Sequence, residues 1–352
     1  MKNLFFSLVF LFPALANAKA WRVDNTGNPA AQFSSLSTAI AASTVAAGDT
    51  LYLYGSATSY GSVAVNKRLV ILGMGYNWAV NYLSAIPIAQ IDCMNFAAGS
   101  EGSLISGMRI GTGTAGDALY LSVDGITVKR NYVSSIHAAS STSACPNPSS
   151  SVNRQAVISQ NWIYGYNNYT SSNYTGLYNI YGTIDHNLIA YRMQVPLGSI
   201  ISHNVVCYSN RCSSSSYLNY FSGSVIENNI FWGTTSNRVV NAFGSVLRNN
   251  VFDHASTTSV GDGSNNLENN VFSATMSNVF ENSSNTSLDG NFRLKTGSPA
   301  LAAGTGGVDI GAFGGTGAYV LGLPPTVPII YFFNSAVNAS TSLPIEIRII
   351  SK

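Results

Sequence analysis

A short phrase that recurs through the second half of the chain constrains the fold more than any other feature. It reads aliphatic residue, two variable residues, Asn, one variable residue and a bulky apolar residue. The copies carry Asn131, Asn161, Asn187, Asn204, Asn229, Asn250 and Asn270, and a weaker copy carries Asn291. Successive asparagines are separated by 30, 26, 17, 25, 21, 20 and 21 residues. A repeat near this length, with insertions of variable size, is typical of a solenoid.

A parallel β-solenoid explains the phrase. Each coil would contain two short strands that meet at a bend, and Asn tolerates the left-handed backbone that such a bend requires. Coils stacked at about 4.8 Å would place each Asn above the last, so that the amides hydrogen-bond along the axis. The flanking aliphatic and aromatic residues would form parallel internal stacks. The alternative, a globular domain with scattered strands, needs the asparagines to fall in register by coincidence.

The composition agrees with a rigid β surface that carries neutral polar groups. Charged residues make up 9% of the 352 residues and hydrophobic residues 46%, which argues against a helical bundle and against a disordered chain. The formal net charge is +2. We therefore expect no nucleic-acid partner and no attraction to an acidic membrane surface.

Residues 1–18 have the features of a secretory signal peptide. Lys2 supplies the positive start, residues 4–12 the apolar core, and Ala16-Asn17-Ala18 a cleavage site of small residues. The apolar run is too short to span a membrane, so we expect no membrane insertion after cleavage. The sequence predicts a secreted or cell-surface protein, and a retained N-terminal anchor is the alternative.

Four cysteines fit an exported protein: Cys93, Cys145, Cys207 and Cys212. Cys207 and Cys212 flank a short loop, which favours a local disulfide there and leaves Cys93 to pair with Cys145. A zinc site is the competing interpretation, but the chain has neither a CxxC spacing nor a nearby His pair. We expect no metal and no cofactor.

Residues 19–55 are predicted to form an N-terminal cap. Apolar residues at helical spacing over 33–40 indicate an amphipathic helix, and residues 51–54 indicate a strand. An open solenoid exposes strand edges and an apolar end, so a capping element is needed there.

The helix, the Gly48-Asp49-Thr50 turn, the apolar strand and Gly55 resemble the start of secreted right-handed parallel β-helix proteins of the pectate-lyase-like superfamily. The segment 297–312 resembles the closing segment of many bacterial members. The resemblance covers about residues 21–315 and implies an all-β fold: a right-handed parallel β-helix over 56–320, in a protein of bacterial origin. It does not imply one activity, because the superfamily includes lyases, hydrolases and adhesins.

Residues 321–352 are predicted to form a Pro-rich linker followed by a C-terminal tail of two strands, at 329–333 and 343–350. A hairpin packed on the end or flank of the solenoid is the simpler interpretation. The alternative is an attachment tail that adds strands to a partner, carries an export signal or mediates self-association.

The variable positions of the phrase provide the candidate catalytic residues, since they should stack on neighbouring coils. A polysaccharide lyase needs a base and a cation, and a glycoside hydrolase needs two carboxylates. These requirements select Asp185, His186, His203, Glu227 and Arg248. Thr183-Ile-Asp-His186 resembles the Trp-Ile-Asp-His phrase of pectate lyases, but the Trp and the Arg-x-Pro-x-x-Arg phrase are absent. The alternative is that these side chains pair with one another along the ladder.

An aromatic segment provides the candidate ligand-binding residues. Sugar rings stack on aromatic rings, while amide and hydroxyl groups bind sugar hydroxyls. The candidates are Trp162, Tyr164, Tyr166, Tyr169, Tyr174, Tyr178 and Tyr181. Our first expectation is a non-catalytic protein that binds a polysaccharide or a cell-surface glycan. A polysaccharide lyase or glycoside hydrolase is the alternative, and a self-associating fibre subunit is the second.

Overall fold

The fold is a parallel β-helix. The computed structural model describes residues 18–76, 87–111, 118–149, 151–164, 175–190, 192–206, 219–232, 240–255, 264–281, 289–322, 329–335 and 345–350. Within these residues, three all-parallel sheets of eleven, eight and eight strands run along one axis. The predicted all-β solenoid is therefore confirmed.

Sheet A carries the aliphatic residue that opens each Asn phrase. Its strands are β1 (Ala20–Val23), β2 (Thr50–Leu53), β4 (Val70–Leu72), β7 (Leu104–Ser106), β10 (Ile126–Lys129), β13 (Arg154–Ser159), β16 (Ile180–Asp185), β19 (Ile200–Ser202), β22 (Val225–Glu227), β25 (Val246–Arg248) and β27 (Asn266–Glu268). The predicted cap region thus contributes two strands, β1 and β2, that continue this sheet.

Sheet B precedes sheet A in each coil, and sheet C follows it. The strands of sheet B are β3 (Ser62–Val65), β6 (Cys93–Phe96), β9 (Leu119–Leu121), β12 (Ile136–Ala138), β15 (Thr175–Tyr178), β18 (Arg192–Val195), β21 (Asn219–Ser222) and β24 (Val240–Phe243). Those of sheet C are β5 (Gln90–Ile91), β8 (Arg109–Ile110), β11 (Tyr132–Val133), β14 (Trp162–Ile163), β17 (Leu188–Ile189), β20 (Val205–Val206), β23 (Ile230–Phe231) and β26 (Val251–Phe252).

Aliphatic stacks fill the interior because successive coils pair in register. Val128 pairs with Ile105 and with Ile158, and Ile184 pairs with Ile158 and with Ile201. All five side chains are fully buried. Burying such a side chain contributes roughly 1.5–3 kcal/mol, so each coil adds its own increment to the free energy of unfolding.

The asparagines form the predicted ladder along the corner between sheets A and C. Each side-chain amide donates to the Oδ1 of the Asn one coil further on, at 2.9–3.2 Å from Asn131 to Asn270. The same Oδ1 accepts a backbone N–H, as Asn187 Oδ1 does from Asn161 at 2.8 Å. The ladder therefore satisfies buried backbone groups at the corner as well as the amides themselves.

One part of the prediction for this corner is wrong. The left-handed backbone belongs to the residue before each Asn and not to the Asn itself. The residues with positive φ are Arg130, Gln160, His186, His203, Asn228, Asn249 and Asn269, with φ between 51° and 57°. The Asn is needed for its side chain, which reaches carbonyl groups of its own coil and of the preceding one, as Asn161 does with Ser159 and Val128.

The first half of the chain contains a short helix and a disulfide. Helix α1 (Leu36–Ala41) begins after Ser35, whose hydroxyl accepts from the Thr38 backbone N–H, and it buries Leu36, Ala39 and Ile40. The helix predicted over 33–40 is thus present, while its capping role stays a prediction. The predicted pairing of Cys93 with Cys145 is confirmed. Cys207 and Cys212 lie outside the described residues.

The C-terminal part of the chain folds back over the outer face of sheet C. Helix α2 (Met276–Val279) and the 3-10 turn Gly290–Phe292 contribute apolar side chains to this layer, as do Ala300, Ile310, Ala312 and Tyr319 on either side of a second 3-10 turn, Thr305–Gly307. They cover the first residue of five sheet C strands: Trp162, Leu188, Val205, Ile230 and Val251. Sheet C is therefore buried on both faces from β14 to β26, which explains why both of its residues in these phrases are apolar.

The predicted tail strands are also present. β28 (Ile329–Ser335) and β29 (Ile345–Ile350) pair antiparallel. The signal-like residues 1–17 lie outside the described part of the chain. Among the described residues, no helix combines the length and the apolar character needed to cross a membrane.

Candidate functional site

The corner between sheets A and C brings the five candidate catalytic residues onto neighbouring coils. Asp185 pairs with Ser202, Ser202 with Glu227, and Glu227 with Arg248. His186 and His203 follow the first two of these strand ends in the left-handed position. The predicted column of stacked positions is therefore present, and its chemistry depends on what each side chain contacts.

His186 has both ring nitrogens occupied. Nδ1 lies 2.7 Å from Asp185 Oδ2, and Nε2 lies 3.0 Å from the Gly314 carbonyl oxygen. Both ring nitrogens are therefore engaged by oxygen atoms of the protein itself. The side chain is also buried. A general base needs a free nitrogen within reach of the substrate, and His186 offers none.

His203 is stacked on His186 and covered from the other side. The two ring centroids lie 4.7 Å apart at an interplanar angle of 6°. Burial first, and the neighbouring His186 second, lower the pKa of His203 to about 4. Its Nε2 is buried without a hydrogen-bond partner, and a Cβ on Gly315 would come within 2.9 Å of that atom. His203 is therefore neutral near pH 7.

The other candidate catalytic side chains are paired within the protein. Ser159 Oγ donates to Asp185 Oδ2 at 3.1 Å, so this Ser contacts the carboxylate and does not form a Ser-His nucleophile pair. Glu227 and Arg248 form an ion pair at 2.7 Å. Across the described residues, no group of three or more His, Cys, Asp and Glu side chains could hold a metal ion.

The left-handed column instead holds the C-terminal segment. Gln160 Nε2 donates to the Ala318 carbonyl at 2.8 Å, and the Thr305 N–H donates to Asn228 Oδ1 at 2.9 Å. Asn249 Nδ2 donates to Thr305 Oγ1 at the same distance. Together with the bond between His186 and Gly314, these contacts attach residues 305–318 along four coils. Sequence reasoning identified the column but missed its partner, which is remote in sequence.

The candidate ligand-binding aromatics do not form one surface. Trp162 and Tyr164 are only 3% and 7% exposed, so they offer no free ring face to a sugar. Tyr164 stacks on Tyr132 at 4.1 Å, and Tyr132 stacks on Tyr76 at 3.9 Å. Burial raises the pKa of Tyr76 well above its usual range. Trp162 and Tyr164 therefore belong to the packing layer outside sheet C.

The remaining candidates are divided between two sheets and a segment outside the described residues. Tyr181 lies in β16 of sheet A and packs partly against the core. Tyr178 lies in β15 of sheet B. Tyr166, Tyr169 and Tyr174 lie outside the described residues. Among the described aromatic candidates, Tyr178 alone belongs to a larger outward-facing surface.

That surface is an aromatic and amide column on the outer face of sheet B. Strand pairing aligns six residues on successive coils: Asn95, Tyr120, His137, Tyr178, Gln194 and Tyr220. Their neighbours Leu119, Ile136, Leu177, Met193 and Phe221 are fully buried in the interior. Because side chains alternate along a strand, the six residues face outward. We call them the sheet B column.

The sheet B column has a covered half and an open half. Asn95, Tyr120 and His137 are buried. Tyr178 and Gln194 are partly exposed, and Tyr220 is 40% exposed. Beside Tyr220, Ser222 and Phe243 pair on adjacent strands and continue the outer face. The Phe243 ring lies 5.6 Å from that of Tyr220.

The sequence carried a weak signal for this column. In three sheet B strands a polar or aromatic residue adjoins a buried apolar one: Leu177-Tyr178, Met193-Gln194 and Tyr220-Phe221. No fixed phrase marks these strands, so the sequence alone does not show which residues of different sheet B strands lie above one another.

The fold defines the class of protein, a parallel β-helix with a covered third sheet. Compared with known proteins, the sequence matches no protein-family model, no curated protein and no solved structure. Function therefore has to be argued from the surface of this chain.

Proposed function

We propose that this protein is a non-catalytic, extracellular or cell-surface protein that binds a neutral linear polysaccharide along the open half of the sheet B column. The observation that carries the proposal is the alignment of Tyr178, Gln194 and Tyr220 on successive coils of a rigid sheet. Two rungs separate the tyrosines, a distance of about 10 Å. That spacing lets the two rings contact different sugar units of one extended chain.

The chemistry of the open half suits a sugar polymer. Tyrosine rings stack on the apolar faces of sugar rings, and the Gln194 amide and the Ser222 hydroxyl can exchange hydrogen bonds with sugar hydroxyls. The described outward side chains here, Tyr178, Gln194, Tyr220, Ser222 and Phe243, are all uncharged. A neutral polymer is therefore a better fit than a polyuronic acid.

The expected affinity is modest. Each aromatic contact adds roughly 0.5–1.5 kcal/mol beyond the area that it buries, and the sheet is already ordered, so little conformational entropy is lost on binding. Two such contacts and a few hydrogen bonds correspond to a Kd on the order of 0.1–1 mM for a short oligomer. A long polymer that engages several copies of the protein would be held more tightly.

The proposed location rests on the signal-like residues 1–18 and on the use of cysteine. The Cys93–Cys145 disulfide is typical of proteins that fold in an oxidising compartment. Bacterial origin remains part of the proposal, since it rests on the resemblance of residues 297–312 alone.

A glycan array that holds neutral and uronic-acid polymers tests the proposal. We expect binding to a neutral polymer that weakens at least about fivefold in Tyr178→Ala and Tyr220→Ala, because each loses one stacking contact. Tyr52→Ala is the matched control, since Tyr52 is a partly exposed tyrosine in sheet A. If the two sheet B variants bind as the control does, the sheet B column is not the binding site.

A lyase assay on uronic-acid polymers tests the alternative at the corner between sheets A and C. The engaged nitrogens of His186 argue against catalysis there. Release of unsaturated sugars by the wild-type protein, abolished in His186→Ala or Asp185→Asn, would replace our proposal by a polysaccharide lyase.

A further inference from the structure

A loop lies over the covered half of the sheet B column. Residues 139–149 leave β12 and cross the outer face, where Asn95 Nδ2 donates to the carbonyls of Ser141 and Ser143 at 2.9 and 2.8 Å. The Ser141 N–H donates to Ser122 Oγ at 3.2 Å. The Cys93–Cys145 disulfide joins the loop to β6. The loop is thus attached directly to the residues that it covers.

The covered half has the same kinds of side chain as the open half. Asn95 and Tyr120 are fully buried and His137 is 4% exposed, although all three point away from the interior of the coil. The His137 ring contacts Tyr120 on one side and Tyr178 on the other, with centroids 5.7 and 6.0 Å apart. The aromatic column is therefore continuous across the boundary between its two halves.

Polar bonds and one covalent bond hold the loop, with few apolar contacts. The apolar cluster beneath it consists of Cys93, Ala118, Tyr120 and Ala139 alone among the described residues. Residues 140–143 read Ser-Ser-Thr-Ser, so the loop is rich in hydroxyl groups. Its carbonyls occupy the Asn95 amide as sugar oxygens would. The loop therefore occupies a polar group of the column that a ligand could also bind.

We propose that residues 139–149 form a plug that fills one end of a longer polysaccharide groove, and that the Cys93–Cys145 disulfide keeps the plug closed. This inference rests on the proposed function, because it extends the same column. With the plug closed, a ligand reaches the column from Tyr178 onward. With the plug open, it contacts the six rungs from Asn95 to Tyr220, which span about 24 Å.

The disulfide matters because it limits the motion of the loop. While the bond is intact, residue 145 is tied to β6, so the loop cannot leave the outer face of sheet B. Without it, the loop hydrogen bonds described above compete with water and with ligand hydroxyls, and each contributes little net stability. Breaking the crosslink therefore shifts the loop toward the open state.

Cys145→Ser tests the plug, because it removes the crosslink at an exposed residue and leaves the side chains of the column unchanged. The probes are β-1,4-linked glucose, mannose and xylose oligomers, from disaccharide to octasaccharide, titrated by calorimetry. We expect the wild-type affinity to stop rising at short oligomers. The affinity of the variant should continue to rise and reach about tenfold tighter binding, which is ~1.4 kcal/mol. Thr142→Ala, an exposed change in the same loop that keeps the disulfide, should match the wild type.

Hydrogen exchange supplies a readout that does not depend on the ligand. The amides of Ser141 and Ser149 are bonded to Ser122 Oγ and to the Ala138 carbonyl, and they should exchange faster in Cys145→Ser. If they do not, the disulfide is not what keeps the loop closed. If they do, but the variant and the wild type show the same dependence on oligomer length, the plug is overturned while the proposed function survives. If no form binds any glycan, the proposed function itself fails.

Discussion

Replacing Asn187 by Ala tests whether the buried amide ladder holds the coils together. The Asn187 amide donates to the Ile158 and Asp185 carbonyls at 2.8 and 2.9 Å and to Asn204 Oδ1 at 3.0 Å. Its Oδ1 accepts from the backbone and the side-chain amide of Asn161. Alanine would remove all five hydrogen bonds from a site that has no access to water.

The magnitude follows from the groups left without partners. The Asn161 backbone N–H loses its Oδ1 partner, whereas the Asn161 side-chain amide keeps the Val128 and Ser159 carbonyls and the Asp185 carbonyl keeps the Gln160 N–H. Asn204 Oδ1 still accepts from the Asn187 backbone N–H. A buried group left unsatisfied costs about 1–3 kcal/mol, and the other lost hydrogen bonds add to this, so we expect a loss of roughly 2–4 kcal/mol. That is a large fraction of the 5–15 kcal/mol typical of folded domains.

The assay is urea unfolding combined with hydrogen exchange, since a solenoid can unfold in parts. Asn270→Ala is the matched control. Asn270 is the last rung of the described ladder and is partly exposed, and its amide donates to the Leu247 carbonyl. We expect the control to lose about 1–2 kcal/mol. A loss below about 1 kcal/mol for Asn187→Ala would show that the ladder contributes little to stability.

Three further predictions concern protonation, the C-terminal segment and the tail. Burial lowers the pKa of both His137 and His203 from 6.5 to about 4, so the unfolded chain binds more protons and the free energy of unfolding should fall as pH drops from about 6.5 toward 4. Urea titrations at several pH values should show a weaker fall in His137→Gln and His203→Gln, and equal slopes would contradict the assignment. Gly315→Ala should weaken the attachment of residues 305–319 to the coils, because its Cβ would clash with the His203 ring. Hydrogen exchange there should rise more than in Gly306→Ala, which has a similar positive φ and no neighbour within 4 Å. Sedimentation velocity should show a monomer both for the full-length protein and for a variant that lacks residues 323–352. A full-length oligomer that dissociates when these residues are deleted would support the fibre subunit.

The Asn phrase made the solenoid and its ladder predictable because it is local and repeated. Each copy carries its own aliphatic and Asn residues, so the register of Ile158 on Ile184 follows from alignment of the copies. The left-handed residue was misplaced for a physical reason. Asn and His are enriched at positive φ, but Arg130 and Gln160 occupy the same position, so residue identity does not mark it in every coil.

The candidate site was less predictable because its contacts are remote or unmarked. His186 binds a carbonyl 128 residues away, and no local pattern connects the two. Tyr178 and Tyr220 lie on one face of sheet B, two coils apart. Insertions of different length separate them in sequence, so their spacing does not reveal this alignment. Residue types indicated which side chains could do chemistry, whereas the folded chain places His186 against Asp185 and Gly314 and leaves Tyr220 40% exposed.

The covered outer face of sheet C has a consequence for how the chain matures. Coils can form in order as the chain emerges, because each pairs with the one before it. Leu188, Val205 and Ile230 nevertheless stay uncovered until residues 305–319 arrive to shield them. A chain truncated before that point would expose a continuous apolar surface along sheet C and would be prone to aggregation or degradation. Burial of this apolar surface thus depends on a segment that follows all the coils in sequence, so truncations upstream of residue 305 should be more prone to aggregation than truncations after residue 319.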